Sequence, residues 1–322
     1  AFLAQIFLTQ IFLAPVFLAQ IRESALNPLV QLFLAPDRRL RPSWRFGISL
    51  VVIVFAAVGS GTLTSLIPRG HDHGREFLFR TAFLLFLLGG FAALLYLLDR
   101  ERGRVLGAMG LKLDRAALHD SLSGTALGAG MVAASVAAMA LGGRVEFHWI
   151  GGPRVLLAIL AVTYITAVAA MAEEVAFRGY PFQRLVEGIG AVGGIGVLSV
   201  LFGAIHLGNP HASLWGLLNT IGIGAVLAVA YLRTRSLWMP WGLHFGWNLT
   251  LGLGFGLPVS GINEFAVAVQ GTAVGPAWLT GGAYGIEASL TGSVVMVLAI
   301  FVLLRLTPSP PAPAPPLAKA PE

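Results

Sequence analysis

The sequence predicts an all-α fold, a multi-pass transmembrane helical bundle of about eight spans. The 322 residues are 56% hydrophobic and only 11% charged, with a mean hydropathy of +0.80, whereas soluble chains carry about 25% charged residues. The apolar residues also fall into runs near the roughly 20 residues that cross a bilayer. This composition excludes an ordinary cytosolic enzyme, a disordered chain and a nucleic-acid-binding protein. The absence of Cys excludes disulfides and thiolate metal sites.

Eight apolar runs follow one another along the chain, and each is a candidate span. They are Phe46–Ile67, Thr81–Leu98, Ser121–Gly142, Val155–Ala172, Ile189–Leu207, Leu214–Leu232, Leu237–Leu257 and Glu287–Leu306. The fourth run can continue as a long helix towards Leu185. Together these runs make residues 37–306 one polytopic membrane domain.

The distribution of Lys and Arg predicts the orientation of the spans. If the segment before the first span is cytoplasmic, 16 of the 21 basic residues lie on that side and 5 on the other. Cytoplasmic loops are enriched in Lys and Arg, so both termini are expected in the cytoplasm and the protein in the cytoplasmic membrane. The basic pI of about 10.3 therefore reflects topology and not a nucleic-acid partner.

Three stretches lie outside this pattern. Residues 99–120 are predicted to be a charged loop with a short amphipathic helix on the membrane surface. Residues 1–36 form a low-complexity apolar segment whose five-residue repeat makes no single helical face, and we assign it no function. Residues 307–322 are Pro-rich and predicted to be a disordered tail.

Four ionisable residues lie well inside the predicted spans: Glu173, Glu174, His206 and His244. Ionisable side chains within a bilayer are costly and usually functional. The uncharged polar residues Asn219 and Asn248 accompany them. Others lie near span ends, where a long side chain can reach the membrane surface: Arg80, Arg154, Glu287 and Arg305.

The spacing of these residues predicts that they meet. Glu174 and Arg178 are four residues apart and share a helix face. Glu173 lies 17 residues before Gly190 and His206 lies 16 residues after it. In a helical hairpin that turns at this Gly-rich stretch, both are about 25 Å from the turn. His244 and Asn248 are expected at a similar depth, in a site reached from the basic, cytoplasmic side.

This set of side chains suits the hydrolysis of a peptide bond. A buried carboxylate near a histidine can take a proton from water, and His244 with Asn248 can donate to the developing oxyanion. Other intramembrane protease types lack their residues here, since there is no H-E-x-x-H zinc motif, no Asp within a span and no convincing catalytic Ser.

At these residues the sequence resembles the CAAX prenyl protease and bacteriocin-processing (CPBP, or Abi) family of intramembrane proteases. Three motifs in the family's order carry the resemblance, all within a protease core at about 155–257. They are Glu173-Glu174-x-x-x-Arg178, Phe202-x-x-x-His206 and His244-x-x-x-Asn248. The resemblance implies an all-helical membrane fold with a water-filled cavity open to the cytosol. It also implies a membrane-embedded or lipidated polypeptide substrate, such as a prenylated CAAX protein.

The resemblance assigns a role to each motif residue. It implies that Glu173 and His206 activate the attacking water and that His244 and Asn248 stabilise the oxyanion.

The resemblance also implies that Glu174 and Arg178 support the site. This mechanism requires no cofactor, but two Glu and two His can also hold a divalent metal such as zinc, with Glu173, His206 and His244 as candidate ligands.

Two other functions are compatible with the same residues. A proton-coupled transporter could use the glutamates as a proton relay, although no internal repeat typical of transporters is present. A non-catalytic membrane scaffold or immunity factor could retain the motifs as structure. Intramembrane endopeptidase activity is the leading hypothesis.

Overall fold

The computed structural model describes residues 28–35, 39–68, 72–100, 104–142 and 144–306. The predicted tail at 307–322 and all but the last few residues of the apolar segment at 1–36 lie outside the described residues. Of that segment, Pro28–Phe33 form the short helix α1.

The described chain is mostly helical, as predicted. After α1, the helices are α2 (Pro42–Ser65), α3 (Asp72–Leu97), α4 (Val105–Ala108), α5 (Arg115–Gly142), α6 (Val155–Arg178), α7 (Tyr180–Ile205), α8 (Leu214–Thr234), α9 (Trp238–Leu249), α10 (Ala277–Thr280) and α11 (Leu290–Leu306). Single 3₁₀ turns occupy His206–Gly208, Gly282–Tyr284 and Ile286–Ala288, and a π-helical turn at Thr250–Gly254 extends α9.

Within the described residues, five helical segments are long and apolar enough to cross a membrane. One of them, Val155–Gly208, has 54 residues and contains both α6 and α7. The last apolar helix, Leu290–Arg305, is shorter. Apolar side chains such as Phe55 and Leu157 point outward, 69% and 66% exposed, as expected of helices that face lipid. The protein is therefore a membrane protein, and the count of about eight spans stays a prediction.

A two-stranded antiparallel sheet is an addition to the predicted all-α fold. It pairs β1 (Arg144–Trp149) with β2 (Val269–Val274), with Arg144 opposite Val274 and Trp149 opposite Val269. Both strands lie between the predicted spans. In β1 apolar residues at 145, 147 and 149 alternate with polar ones, which is the period of a strand, but six residues are a weak signal beside the long apolar runs.

The surface segment at 99–120 differs in part from expectation. Its short helix, α4, has only four residues. Residues 115–120, predicted to lie along the membrane surface, instead form the first turns of α5. The side chain of Asp114 accepts a hydrogen bond from the Ala117 backbone N–H at 3.0 Å, which starts α5 earlier than hydropathy suggests.

Helix α6 with the part of α7 before Gly190, and the part of α7 after Gly190, form the two arms of the predicted hairpin. The backbone leaves helical geometry at Gly179 and again at Gly190, where φ is +79°. A positive φ is a conformation that glycine adopts without strain, so Gly190 permits the turn. On either side of it the rings of Phe177 and Phe202 lie 5.2 Å apart, which confirms that the two arms run side by side.

Helices α5 and α9 pack with their backbones in close contact. A Cβ atom at Gly128 would overlap the Leu243 carbonyl oxygen, and one at Gly246 would overlap the Thr125 carbonyl oxygen. Small residues four apart permit such an approach between membrane helices. This contact fixes α9, which carries His244 and Asn248.

We name the two ends of the bundle by where the Lys and Arg residues of the sequence lie. At the end that we call the basic end, Arg45 contacts Asp99 and Glu187 at 2.5 Å each, and Arg184 contacts Glu187 at 3.0 Å. The opposite end, called the far end, contains the sheet and the first turns of α3 and α6.

Candidate active site

The adjacent carboxylates of Glu173 and Glu174, in the last turns of α6, have different surroundings. Glu174 is fully buried, whereas the side chain of Glu173 is 24% exposed. Successive helical residues point about 100° apart, so one carboxylate faces the packed interior and the other faces a cavity. The pair therefore supplies one structural and one accessible acid.

Arg178 balances the charge of the buried carboxylate. Its Nη1 lies 3.0 Å from Glu174 Oε1, which is the contact that the four-residue spacing predicts. Its Nη2 donates to the Gly224 carbonyl on α8 at 3.1 Å, and its guanidinium carbon lies 4.4 Å from the centre of the Phe202 ring. Arg178 thus ties α6 to α7 and α8 directly behind the site.

His244 lies against both carboxylates. Its Nδ1 is 2.8 Å from Glu174 Oε1, and its Nε2 is 3.8 Å from Glu173 Oε2. A carboxylate only accepts, so Nδ1–H donates to Glu174 and this bond orients the imidazole. Its Nε2 is then directed towards the accessible carboxylate.

His206 lies just past the end of α7 and has a defined tautomer. Its Nδ1 is 2.7 Å from the Phe202 carbonyl oxygen, which only accepts, so Nδ1 carries the proton. In the neutral ring Nε2 is therefore the basic nitrogen. The Phe of the second motif holds this histidine through its backbone and packs on Arg178 through its ring.

A cavity of about 200 Å³ brings four of the six predicted site residues together. Glu173, His206, His244 and Asn248 line it, and Glu174 and Arg178 lie behind its wall. The remaining lining residues are Arg80, Thr166, Ala169, Phe202, Ile205, Asn209, Thr220, Ile223, Leu227, Trp247, Val259, Ser260, Ile262, Phe265, Glu287 and Met296. These positions lie in the middle of the bundle and at its far end, although the sequence predicts access from the basic end.

Two residues assigned to span ends belong to this cavity. Arg80 and Glu287 both line it. Glu287 accepts from the Trp247 indole N–H at 3.0 Å, from the Ser260 hydroxyl at 2.8 Å and from the Ser260 backbone N–H. In the sequence, Glu287 stands out only as the acidic residue at the start of the last apolar run. How deeply its side chain lies in the bundle depends on how residues 255–289 fold back.

The other intramembrane amide, Asn219, has a structural role. Its Nδ2 donates to the Ser289 carbonyl at 2.9 Å, and its Oδ1 accepts from the Ser293 hydroxyl at 2.7 Å. Asn219 therefore joins α8 to α11.

The candidate zinc ligands Glu173, His206 and His244 all line the cavity. Within the described part of the chain, no three His, Asp or Glu side chains come together in a way that could hold a metal ion. Both histidines direct Nδ1 to acceptors on the protein, so Nε2 is the ring nitrogen that each would offer to a metal.

The three motifs lie within a region that matches a known family. Residues 155–250 match the family model described as type II CAAX prenyl endopeptidase Rce1-like. Over these residues the chain is similar to that family. The match agrees with the predicted resemblance to the CPBP family, and the matched region contains every predicted site residue. No curated protein and no solved structure matches the chain. The family match and the long apolar helices together support a membrane-embedded protease, that is, a hydrolase.

Proposed function

We propose that this protein is an intramembrane endopeptidase that hydrolyses a peptide bond with a water activated by Glu173. The observation that carries the proposal is the environment of this carboxylate. Glu173 borders the cavity and is partly exposed, while its neighbour Glu174 is buried and paired with Arg178. A carboxylate in such a cavity can bind a water and accept its proton.

The reaction follows from the residues that share the cavity. Glu173, assisted by His206 Nε2, takes a proton from water, and the hydroxide attacks the carbonyl carbon of the scissile bond. His244, protonated on both ring nitrogens between the two carboxylates, donates from Nε2 to the oxyanion that forms, and Asn248 donates with it. When the C–N bond breaks, the proton passes to the departing nitrogen, so the products are a carboxylic acid and an amine.

Glu174 and Arg178 act on this reaction through His244. The hydrogen bond from Nδ1 to Glu174 orients the ring, and the guanidinium of Arg178 compensates the buried charge of Glu174. Such orienting contacts keep a donor aligned with the position where charge develops.

The substrate class that we propose is a membrane-embedded or lipidated polypeptide. The enzyme would lie in the cytoplasmic membrane with both termini in the cytoplasm, as the basic residues predict. The proposed mechanism requires no metal, and chelators distinguish it from the divalent-metal alternative.

Comparison of membrane proteomes tests the proposal. Cells carrying Glu173→Gln are expected to accumulate an uncleaved membrane or lipidated protein that wild-type cells process. With that substrate, the purified variant should be slower by about 10²- to 10⁴-fold, the usual contribution of a general base. Glu264→Gln, in an exposed loop, is the matched control and should cleave normally. Chelators should leave the wild-type rate unchanged.

The outcome separates the three hypotheses. Cleavage that survives Glu173→Gln would show that the assigned base is wrong, and loss of activity on chelation would favour the metal alternative. A scaffold would be indifferent to the substitution, and a transporter would show solute flux in proteoliposomes.

A further inference from the structure

We infer that Glu287 is a positioning residue of the active site, whose carboxylate holds the turn that carries His206 and the helix that carries Asn248 in a fixed relation across the cavity. This inference rests on the proposed function, in which His206 assists the attack by water and Asn248 donates to the oxyanion. Glu287 lies outside the three motifs and outside the matched residues 155–250, although it lines the same cavity.

One anchor of the Glu287 carboxylate lies on α9. The Trp247 indole N–H donates to Glu287 Oε1 at 3.0 Å, and Trp247 is only 3% exposed. Trp247 directly precedes Asn248, and the π-helical turn begins two residues after Asn248. Because the regular hydrogen bonding of the α-helix ends there, the bond to Trp247 fixes this end of α9 and the direction in which Asn248 points.

The other anchor leads to His206. Glu287 Oε2 accepts from the Ser260 hydroxyl at 2.8 Å and from the Ser260 backbone N–H. The carbonyl of Ser260 in turn accepts from the Asn209 side-chain amide at 3.2 Å. Asn209 follows the 3₁₀ turn that begins at His206, and its backbone N–H donates to the His206 carbonyl at 3.1 Å. Ser260 therefore links Glu287 to the turn of the second motif.

Backbone contacts hold this second anchor in place. Gly261 has a φ of +82°, a conformation that glycine adopts without strain, and a Cβ atom there would overlap the Pro210 carbonyl oxygen. The Gly261 backbone N–H donates to the Tyr284 carbonyl at 2.9 Å. The segment with Ser260 is therefore packed between the turn of the second motif and the turn that leads to Glu287.

A carboxylate suits both anchors at once. Its two oxygens accept hydrogen bonds, whereas the Trp247 indole and the Ser260 backbone N–H only donate. In Glu287→Gln the amide oxygen can still accept at Ser260, where there are two donors, and the NH₂ group then faces the indole N–H. This substitution therefore keeps the size of the side chain and breaks the link to α9.

The test measures kcat and KM separately, on the substrate found by the comparison of membrane proteomes. In Glu287→Gln we expect kcat to fall about 10²-fold with KM nearly unchanged, the effect of displacing a catalytic group by about 1 Å. A purely structural role would lower the unfolding temperature and leave kcat of the folded protein unchanged. Arg45→Ala, which lies far from the cavity, is the control for lost stability and should keep the wild-type kcat.

Trp247→Phe is a second variant that tests the anchor on α9. It removes the indole donor and keeps an aromatic ring in the core. We expect a lower kcat here too, and a smaller additional effect of Glu287→Gln in this background, because both substitutions break the same link. Fully additive losses, or a wild-type kcat in folded Glu287→Gln, would overturn the inference.

His206 can be observed without cleavage. Its Nδ1–H, bonded to the Phe202 carbonyl, is accessible to NMR of ¹⁵N-histidine-labelled protein in detergent, and His206→Gln identifies the signals. We expect these signals to move in Glu287→Ala, which loses both anchors, and to stay in Arg45→Ala. Unchanged signals in Glu287→Ala would overturn the inference even without any proteolysis. Failure of the proposed function is a separate outcome, seen as cleavage that survives Glu173→Gln.

Discussion

At the residue scale, neighbouring side chains differ because the helix turns between them. Glu173 and Glu174 are chemically identical, yet one borders the cavity and the other is enclosed by Arg178 and His244. Because successive helical residues point about 100° apart, the adjacency of the two glutamates predicts that their side chains have different surroundings. Which of the two is enclosed depends on where α8 and α9 pack.

Glu287 allows a prediction at this scale. Replacing it with Ala removes the acceptor of the Trp247 indole and of both Ser260 donors. An unsatisfied buried donor costs about 1–3 kcal/mol, so Glu287→Ala should lower the free energy of unfolding by at least that amount. Thermal unfolding in detergent measures the effect.

Glu287→Gln is the matched variant for this measurement. Its amide oxygen can still accept from one donor, so we expect a smaller loss than for Ala. Equal stability of the Ala variant and the wild type would mean that Glu287 does not hold the returning segment against α9.

At the element scale, the position of His244 depends on the contact between α5 and α9. In Gly128→Ala the new methyl group would overlap the Leu243 carbonyl and lie 2.7 Å from the Trp247 backbone nitrogen. Overpacking of this kind costs about 1–3 kcal/mol. We expect lower thermal stability and, because α9 must shift, slower cleavage.

Gly130→Ala provides the control on the same helix. A Cβ at Gly130 meets nothing within 4 Å, and Ala favours a helix over Gly by about 1 kcal/mol. This variant should be as stable as the wild type or more so, with unchanged cleavage. Similar losses for both substitutions would indicate a general effect on α5 and not a specific contact with α9.

The hairpin at Gly190 shows what the spacing of residues in the sequence can predict about the packing of helices. Nearly equal residue counts on the two sides of Gly190, 17 and 16, predict that Glu173 and His206 approach one another, and both line one cavity. The additional break at Gly179 was not predicted. Its backbone N–H bonds to the Glu174 carbonyl, so α6 ends one turn after the glutamates and the chain continues as a separate helix.

At the scale of the whole molecule, ion pairs of the buried Arg45 side chain connect α2 to the end of α3 and to α7, which lies in the region that matches the family model. Arg45 on α2 contacts Asp99 after α3 and Glu187 on α7, and Arg45 and Asp99 are each 3% exposed in their side chains. Removing one partner of a buried pair costs about 3–5 kcal/mol. Arg45→Ala should therefore lower the unfolding temperature clearly.

Arg154→Ala is the control for this prediction, because Arg154 is an exposed arginine at the other end of the bundle. Its unfolding temperature should match that of the wild type. If Arg45→Ala unfolded at the wild-type temperature, the packing of α2 on α7 would be hydrophobic in origin, and the ion pairs would contribute little to it.

The sequence by itself determined that this protein is a helical membrane protein with an ordered set of Glu, His, Arg and Asn residues in its core helices. Hydropathy and helical spacing are local properties, and they suffice for that. Only the tertiary structure decided that His244 lies against both carboxylates and that Glu287 enters the cavity. These features depend on contacts between segments that are far apart in the chain, and no local pattern specifies which faces meet.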